Sequence, residues 1–333
     1  PCHNKENTMT KLRKLIFIPV LCIIICIIFF LISQPQKAEI ISVIYIPKIQ
    51  DSSNDFWTTL MQGAQMAASE YNINLTIYAP DNESDYEKQN ELLLKAAKEK
   101  PDVIALSPIS NTESNETLEK IKSLYKIPIV LIDSTISSNI QTASVSSDNV
   151  EGGKQMGYYA LNLIDDSTKI AIVSHVPGAS TSIEREKGFR KALGKHQNQI
   201  VDVVYSYSDF TTAYNETKAL LQRRPDITLI AGLNEYSAVG AGRAIKDLGL
   251  TNKVKIIGFD NSIAAVNLLE ENVFCAIVIQ KPFNMGYLGI ETAYKIAKGL
   301  KYDTYIDSGC ELITLDDMYT DAGQKSLFSF LEQ

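Results

Sequence analysis

Residues 255–261, KIIGFDN, form an apolar run that ends abruptly at Phe259-Asp260. From Val254 to Gly258 only Lys255 is polar and nothing alternates, which is the pattern of a strand buried on both faces, as in a parallel sheet covered by helices. A carboxylate at the end of such a strand sits at the mouth of the sheet, where open α/β sheets bind ligands, so Asp260 is the first candidate site residue. Capping of a following helix over 263–270 competes with that assignment, since Asp is favoured near helix starts. Recurrence of the same design along the chain tips the balance toward a site.

Outward from this strand, apolar runs at 40–46, 75–78, 103–106 and 127–132 alternate with helix-period stretches at 56–71, 86–99 and 117–125. A second series pairs helices at 150–164, 183–193, 212–223, 237–248 and 263–270 with strands at 170–173, 200–205, 228–231, 254–257 and 276–279. This β-α alternation predicts parallel strands joined by right-handed crossovers. The fold class is therefore α/β, with two doubly wound parallel-sheet lobes. A helix at 284–298 and a strand at 311–314 are too few for a third lobe, so the chain is expected to cross back through a multi-segment hinge. The N-terminal lobe is then 40–147 with 281–308, and the C-terminal lobe 148–280 with 309–333.

The 333 residues are 45% hydrophobic and 21% charged, a globular composition. A net charge of -7 and a pI near 5.2 exclude a basic nucleic-acid surface. Five cysteines, at 2, 22, 26, 275 and 310, contain no CxxC pair and point to neither a zinc site nor a disulfide framework. Leu15–Ile32 is an unbroken apolar segment of 18 residues, just enough at about 1.5 Å per residue to cross a core of about 30 Å. Lys11, Arg13 and Lys14 precede it, which predicts a cytoplasmic N-terminus at 1–14, a transmembrane anchor at 15–33, a linker at 34–39 and a binding domain outside the cell membrane. A cleaved signal is the rival; the run ends without an A-x-A site, which favours the anchor.

Catalytic patterns are scarce. His175 follows a strand without an adjacent Asp or Ser motif and reads as a loop histidine. There is no G-x-S-x-G elbow and no HExxH, Gly152-Gly153-Lys154-Gln155 does not satisfy a phosphate loop, and Gly240-Ala241-Gly242 lies inside an expected helix. No enzyme, cofactor or metal is implied. What remains is a set of strand-end and loop residues: Asn54 with Phe56 and Trp57, Ser107, Asp133, Ser147, Arg185, Phe210, Asn234, Asp260 and Gln280. Carboxylates, carboxamides and a guanidinium make paired hydrogen bonds to vicinal hydroxyls, and flat rings cover the C-H faces of a sugar. Core packing competes for Phe56 and Trp57, and turn or cap duty competes for Asn54, Asp133 and Asn234.

Several local patterns occur in order: Asn54-Asp55-Phe56-Trp57 ahead of Gly63-Ala64; Ile127-Pro128-Ile129 leading to Asp133; Ser147-Asp148-Asn149 followed by Gly152-Gly153; Glu184-Arg185 with Gly188-Phe189; IIGFD at 256–260; and Ala276-Ile277 leading to Gln280. Across residues 40–316 the chain thereby resembles the type I periplasmic sugar-binding proteins of the ribose- and xylose-binding kind, which share a two-lobed fold with LacI-type repressors. The resemblance implies that Asp133, Arg185, Asn234, Asp260 and Gln280 hold sugar hydroxyls while Phe56 or Trp57 and Phe210 sandwich the ring. Ser107 and Ser134 depart from the ribose-type pattern, so xylose or another small polyol stands beside ribose. It further implies lobe closure over a monosaccharide, with two partners in view: a membrane histidine kinase of a two-component system, which the anchor favours, or the permease of an ABC sugar importer.

Overall fold

The computed structural model describes residues 40–328. The anticipated transmembrane anchor at 15–33, its flanks at 1–14 and 34–39, and residues 329–333 lie outside the described residues. Among the described residues no helix is long and apolar enough to cross a membrane.

The first series consists of β1 (Ser42–Ile46), α1 (Asp55–Glu70), β2 (Asn74–Ile77), α2 (Tyr86–Glu99), β3 (Val103–Leu106), α3 (Asn115–Lys120), β4 (Ile129–Ile132) and β5 (Ala143–Ser146). The second begins with α4 (Asn149–Ala160), β6 (Ile170–Ser174), α5 (Ser180–Leu193), β7 (Ile200–Tyr205), α6 (Phe210–Arg223) and β8 (Leu229–Gly232). It continues with α7 (Glu235–Asp247), β9 (Lys255–Phe259), α8 (Ile263–Glu270) and β10 (Phe274–Gln280). The tail adds α9 (Pro282–Ala297), β11 (Tyr305–Asp307), β12 (Cys310–Thr314), α10 (Leu315–Met318) and α11 (Asp321–Leu327).

These strands form two six-stranded sheets, ordered β11-β5-β4-β3-β1-β2 and β12-β10-β9-β8-β6-β7. The two orders are the same design used twice, each closed at one edge by a strand from the tail. Alternate residues of β1 explain the layering: Val43 and Tyr45 pack with Trp57 and Leu60 of α1, while Ile44 and Ile46 pack with Leu93 of α2 and Leu118 of α3. Helices on both faces require strands apolar on both faces, as all four buried residues of β3 illustrate.

The chain passes between the sheets three times: after β5, after β10 and between β11 and β12. The helices that follow the first two passages are clamped onto the lobes they enter. A Cβ at Gly286 of α9 would lie 1.9 Å from the carbonyl of Leu60 in α1, and one at Gly153 of α4 would lie 2.0 Å from the carbonyl of Arg185 in α5. Only glycine allows backbones to approach this closely.

Four local expectations change. β5, Ala-Ser-Val-Ser, and the three-residue β11 carry no apolar run and escape a hydrophobicity reading. The helix expected over 117–125 ends at Lys120 and continues as a π-helical turn, Ile121–Tyr125. β12 pairs antiparallel with β10, a departure from all-parallel lobes. Its direction follows from its entry: it arrives straight from the passage between lobes, at the end where β10 leaves. Cys275 and Cys310 are both free thiols at opposite ends of that ladder, where Gln280 faces Cys310 and Ala276 faces Thr314.

Gly286→Ala should therefore cost about 1–3 kcal/mol by overpacking. Chemical denaturation checks this, and a midpoint equal to the wild type's would contradict the close approach of α1 and α9.

Candidate functional site

The C-terminal ends of both sheets open onto one shared pocket. Open α/β sheets place ligands at this edge. From the first lobe it is lined by Lys48 after β1, Asn54, Phe56 and Trp57 at the start of α1, Glu83 after β2, and Asp133 after β4. From the second come His175 after β6, Thr181 and Arg185 of α5, Asn234, Glu235 and Tyr236 at the start of α7, Asp260 after β9, and Gln280 closing β10.

Asp133 and Asp260 occupy equivalent positions in the two lobes. Both are left-handed, with φ of 71° and 70°, and each backbone N–H bonds the neighbouring strand, to Val145 O at 2.9 Å and Val278 O at 2.8 Å. Asp tolerates that conformation better than most residues. Asp133 pairs with Lys48 at 2.8 Å and accepts from Ser134 Oγ at 2.6 Å. Asp260 accepts from the Glu235 amide at 3.0 Å and from Gln280 Nε2 at 2.6 Å. Burial raises the pKa of Asp260, against the pull of Arg185 and the Gln280 bond. Asp260 thus does not cap α8; that duty belongs to Ser262, which accepts from the Ala265 amide at 3.1 Å.

Arg185 is buried and fixed: Nε donates to Asn149 Oδ1 at 2.9 Å, a terminal nitrogen donates to Leu233 O at 2.8 Å, and the guanidinium lies 3.8 Å over the Phe259 ring. Asn54 and Asn234 take the capping role and also lie at the pocket. Each caps a helix, accepting from Trp57 N at 3.0 Å and Ser237 N at 2.9 Å, and each lines the pocket. Phe56 meets Trp57 edge-on at 5.2 Å, and Trp57 Nε1 donates to Glu83.

Three anticipated residues are not part of the pocket lining. Ser107 is buried against the core, its hydroxyl 2.8 Å from Tyr45 OH and its carbonyl capped by Gln89 Nε2 at 2.9 Å. Ser147 sits where the chain crosses between lobes, bonded to Ser308 Oγ at 3.1 Å and Gly309 O at 3.2 Å. Phe210 packs on Tyr236 at 4.7 Å, and it is Tyr236 that lines the pocket. Conversely, Lys48, Glu83, His175, Thr181, Glu235 and Tyr236 line it without having been anticipated there. His175, read as a loop histidine, is buried with Nε2 2.8 Å from Thr181 Oγ1, and burial followed by Arg185 and Lys48 holds its pKa well below the usual value.

The lobes are drawn together around this pocket. Tyr236 OH donates to Asp51 at 2.7 Å, Ser208 Oγ to Glu83 at 2.7 Å, the Ile263 amide to Asp55 at 3.1 Å and the Thr135 amide to Ser180 Oγ at 2.9 Å. Every one of these bonds joins one lobe to the other.

A pocket enclosed by two such lobes and furnished with directional polar groups from both defines a two-lobed solute-binding protein. The chain belongs to the periplasmic binding protein domain family, whose profile matches residues 45–301. It is 29% identical over 263 residues to the ribose import binding protein RbsB of Haemophilus influenzae, covering 78% of this chain and 88% of that protein. Among solved structures, a sugar transporter from Clostridium phytofermentans matches with 42% identity and a TM-score of 0.78, over 82% of this chain and 99% of its own. A carbohydrate transporter solute-binding protein from Agrobacterium radiobacter, in complex with D-arabinose, matches with 26% identity and a TM-score of 0.81, over 87% and 100%. These relatives are sugar-binding proteins of transport systems.

Lys48 pairs with the buried Asp133 at 2.8 Å, and its charge also acts on the buried Glu83. Lys48→Met should destabilise the fold by about 3–5 kcal/mol, because carboxylates left unpaired in a dry site are costly. Adding Asp133→Asn should recover part of the loss in urea unfolding; an additive double variant would contradict the pairing.

Proposed function

We propose that this protein captures an uncharged monosaccharide outside the cytoplasm and delivers it to an ABC importer. The observation that carries the reading is the polar pocket shared by both lobes, with Asp133 and Asp260 at matching strand ends and Arg185 between fixed partners. Asn54, Asp133, Arg185, Asn234, Asp260 and Gln280 serve as hydroxyl partners; Phe56, Trp57 and Tyr236 cover the apolar faces of the ring. A small aldose such as ribose, arabinose or xylose is the preferred class, in keeping with the ribose and D-arabinose named for two relatives.

Sugar enters between separated lobes, each lobe offers part of the hydrogen-bond set, and the shut form is selected because it alone makes both parts. A micromolar affinity corresponds to about 8 kcal/mol, ample to shift such an equilibrium. The importer replaces the histidine kinase as the favoured partner because the relatives named for a process are import and transport proteins. An apolar tether at 15–33 serves a surface capture protein as well as a sensor. Loss of the protein should reduce uptake of the labelled sugar by cells; normal uptake with a lost transcriptional response would restore the sensor reading.

Thermal-shift measurements on the full chain across pentoses and hexoses should give a stabilising ligand. Asp260→Asn should weaken its binding by about tenfold to a hundredfold, the loss expected for a hydrogen bond to a charged group. A ligand bound equally well by this variant would remove Asp260 from the site.

A further inference from the structure

The pocket sets four carboxyls, Glu83, Asp133, Glu235 and Asp260, against two cations, Lys48 and Arg185. Both cations are engaged, Lys48 by Asp133 at 2.8 Å and Arg185 by Asn149 and the Leu233 carbonyl. Three of the carboxyls are also well supplied with donors. Glu83 receives Trp57 and Ser208, Asp133 receives Lys48 and Ser134, and Asp260 receives Gln280 and the Glu235 amide.

Glu235 is different. Only 3% exposed, it accepts the Phe56 amide at a long 3.4 Å, across the cleft, and a hydrogen bond from Ser262. The groups that face it are Asp260 and Ser262 beyond the end of β9 and Asp55 with the Phe56 amide on α1; no cation stands among them. Burial first, then Asp260 and Asp55, push its pKa up to about 8. Gln280, which lines the pocket beside Asp260, carries a buried Oε1 without a hydrogen-bond partner among the described residues, an acceptor still open to a donor.

We propose that Glu235 is a ligand-facing selectivity residue that enters the shut site as a neutral carboxylic acid, so that closure over an uncharged monosaccharide takes up a proton and anionic sugars are refused. The proposal rests on the sugar-capture reading. In the open form the carboxyl meets water and ionises near its ordinary value; in the shut form its negative charge would lie in a dry pocket beside Asp260 and Asp55. The proton removes that charge and gives Glu235 an O–H with which to donate to a sugar oxygen. A phosphate or uronate would add another negative charge to the same place.

The sign follows from linkage. With an open-form pKa near 4.5 and a shut-form value near 8, closure takes up a proton between those limits, and affinity falls by up to about tenfold per pH unit there before levelling off above. Burial also raises Glu83 and Asp260, which act in the same direction. His175 acts oppositely: burial, then Arg185 and Lys48, lower its pKa, so closure releases a proton from it wherever the open-form imidazole is charged, an effect that fades as pH rises.

The test is titration calorimetry of the full chain with D-ribose, D-arabinose and D-xylose at about pH 7.5, in phosphate and in Tris, whose heats of ionisation differ. Dependence of the binding heat on buffer, reporting net proton uptake, together with a reduced uptake in Glu235→Gln and no binding of D-glucuronate or ribose 5-phosphate, is the expected result. Equal heats in the two buffers, unchanged proton uptake in Glu235→Gln, or binding of either anion would overturn the proposal while leaving sugar capture intact. Tighter binding of D-glucosamine than of D-glucose would also overturn it, since Glu235 would then serve as an anion for an ammonium. If Glu235→Gln fails to fold, Glu235→Asp replaces it, and equal wild-type heats in the two buffers overturn the proposal by themselves. No heat with any monosaccharide, at pH 6 or 7.5, would instead remove the sugar-capture reading itself.

Discussion

Everything in this molecule turns on the place where an apolar parallel strand stops. At the ends of β4 and β9 the backbone flips into the left-handed region at an aspartate, keeps its N–H bonded to the adjacent strand, and leaves the carboxylate at the sheet mouth. The sheet interior supplies the rigidity, and the left-handed residue supplies the turn out of it. A side chain that emerges from such a turn is positioned by the ladder behind it, not by a mobile loop. Because the two lobes repeat the same strand order, the two carboxylates are presented by equivalent elements on opposite walls of one pocket.

That duplication explains the connections. A single crossing would leave each lobe complete in sequence and free to tumble about one link. Here three passages exchange segments: α4 enters the second lobe and packs on α5, α9 returns and packs on α1, and β11 and β12 each close one sheet. Tight backbone contacts at Gly153 and Gly286 bind the exchanged helices to their hosts. Arg185 lies on the helix against which Gly153 packs, so the same contact that joins α4 to the second lobe also holds a pocket residue in place.

Much of this was readable from the chain because parallel strands buried on both faces leave unbroken apolar runs, as at 103–106 and 255–259. β5 and β11 were not readable, since four residues with two serines, or three in all, resemble loop sequence; β5 is buried only by its neighbours, and β11 stays largely exposed at the sheet edge. For the pocket, the strand-end rule reached Asp133, Asp260 and Gln280, and an even application would also have reached Lys48 after β1, Glu83 after β2 and Glu235 beside Asn234. The rule alone cannot tell which ends stay uncovered. Ser107 follows β3 as Asp133 follows β4, yet Gln89 and Tyr45 occupy its polar groups, and both come from elements remote in sequence. Phe210 is shielded by Tyr236 in the same way, through a contact between two helices that no local pattern encodes.

The balance between open and shut forms follows from the bonds that span the cleft. Tyr236–Asp51, Ser208–Glu83, Ile263–Asp55 and Thr135–Ser180 each replace bonds to water, and such exchanges contribute about 0.5–1.5 kcal/mol between neutral groups and about 1.5–3 kcal/mol where the acceptor is a charged carboxylate. Against them stands the desolvation of the pocket carboxyls, which costs several kcal/mol for any charge left unpaired. The two contributions oppose each other. A ligand whose hydroxyls donate to those carboxyls would change the unfavourable side of the balance. On the proposed capture reading, closure would then be sensitive to what the pocket contains, and the protein would present a different surface when loaded.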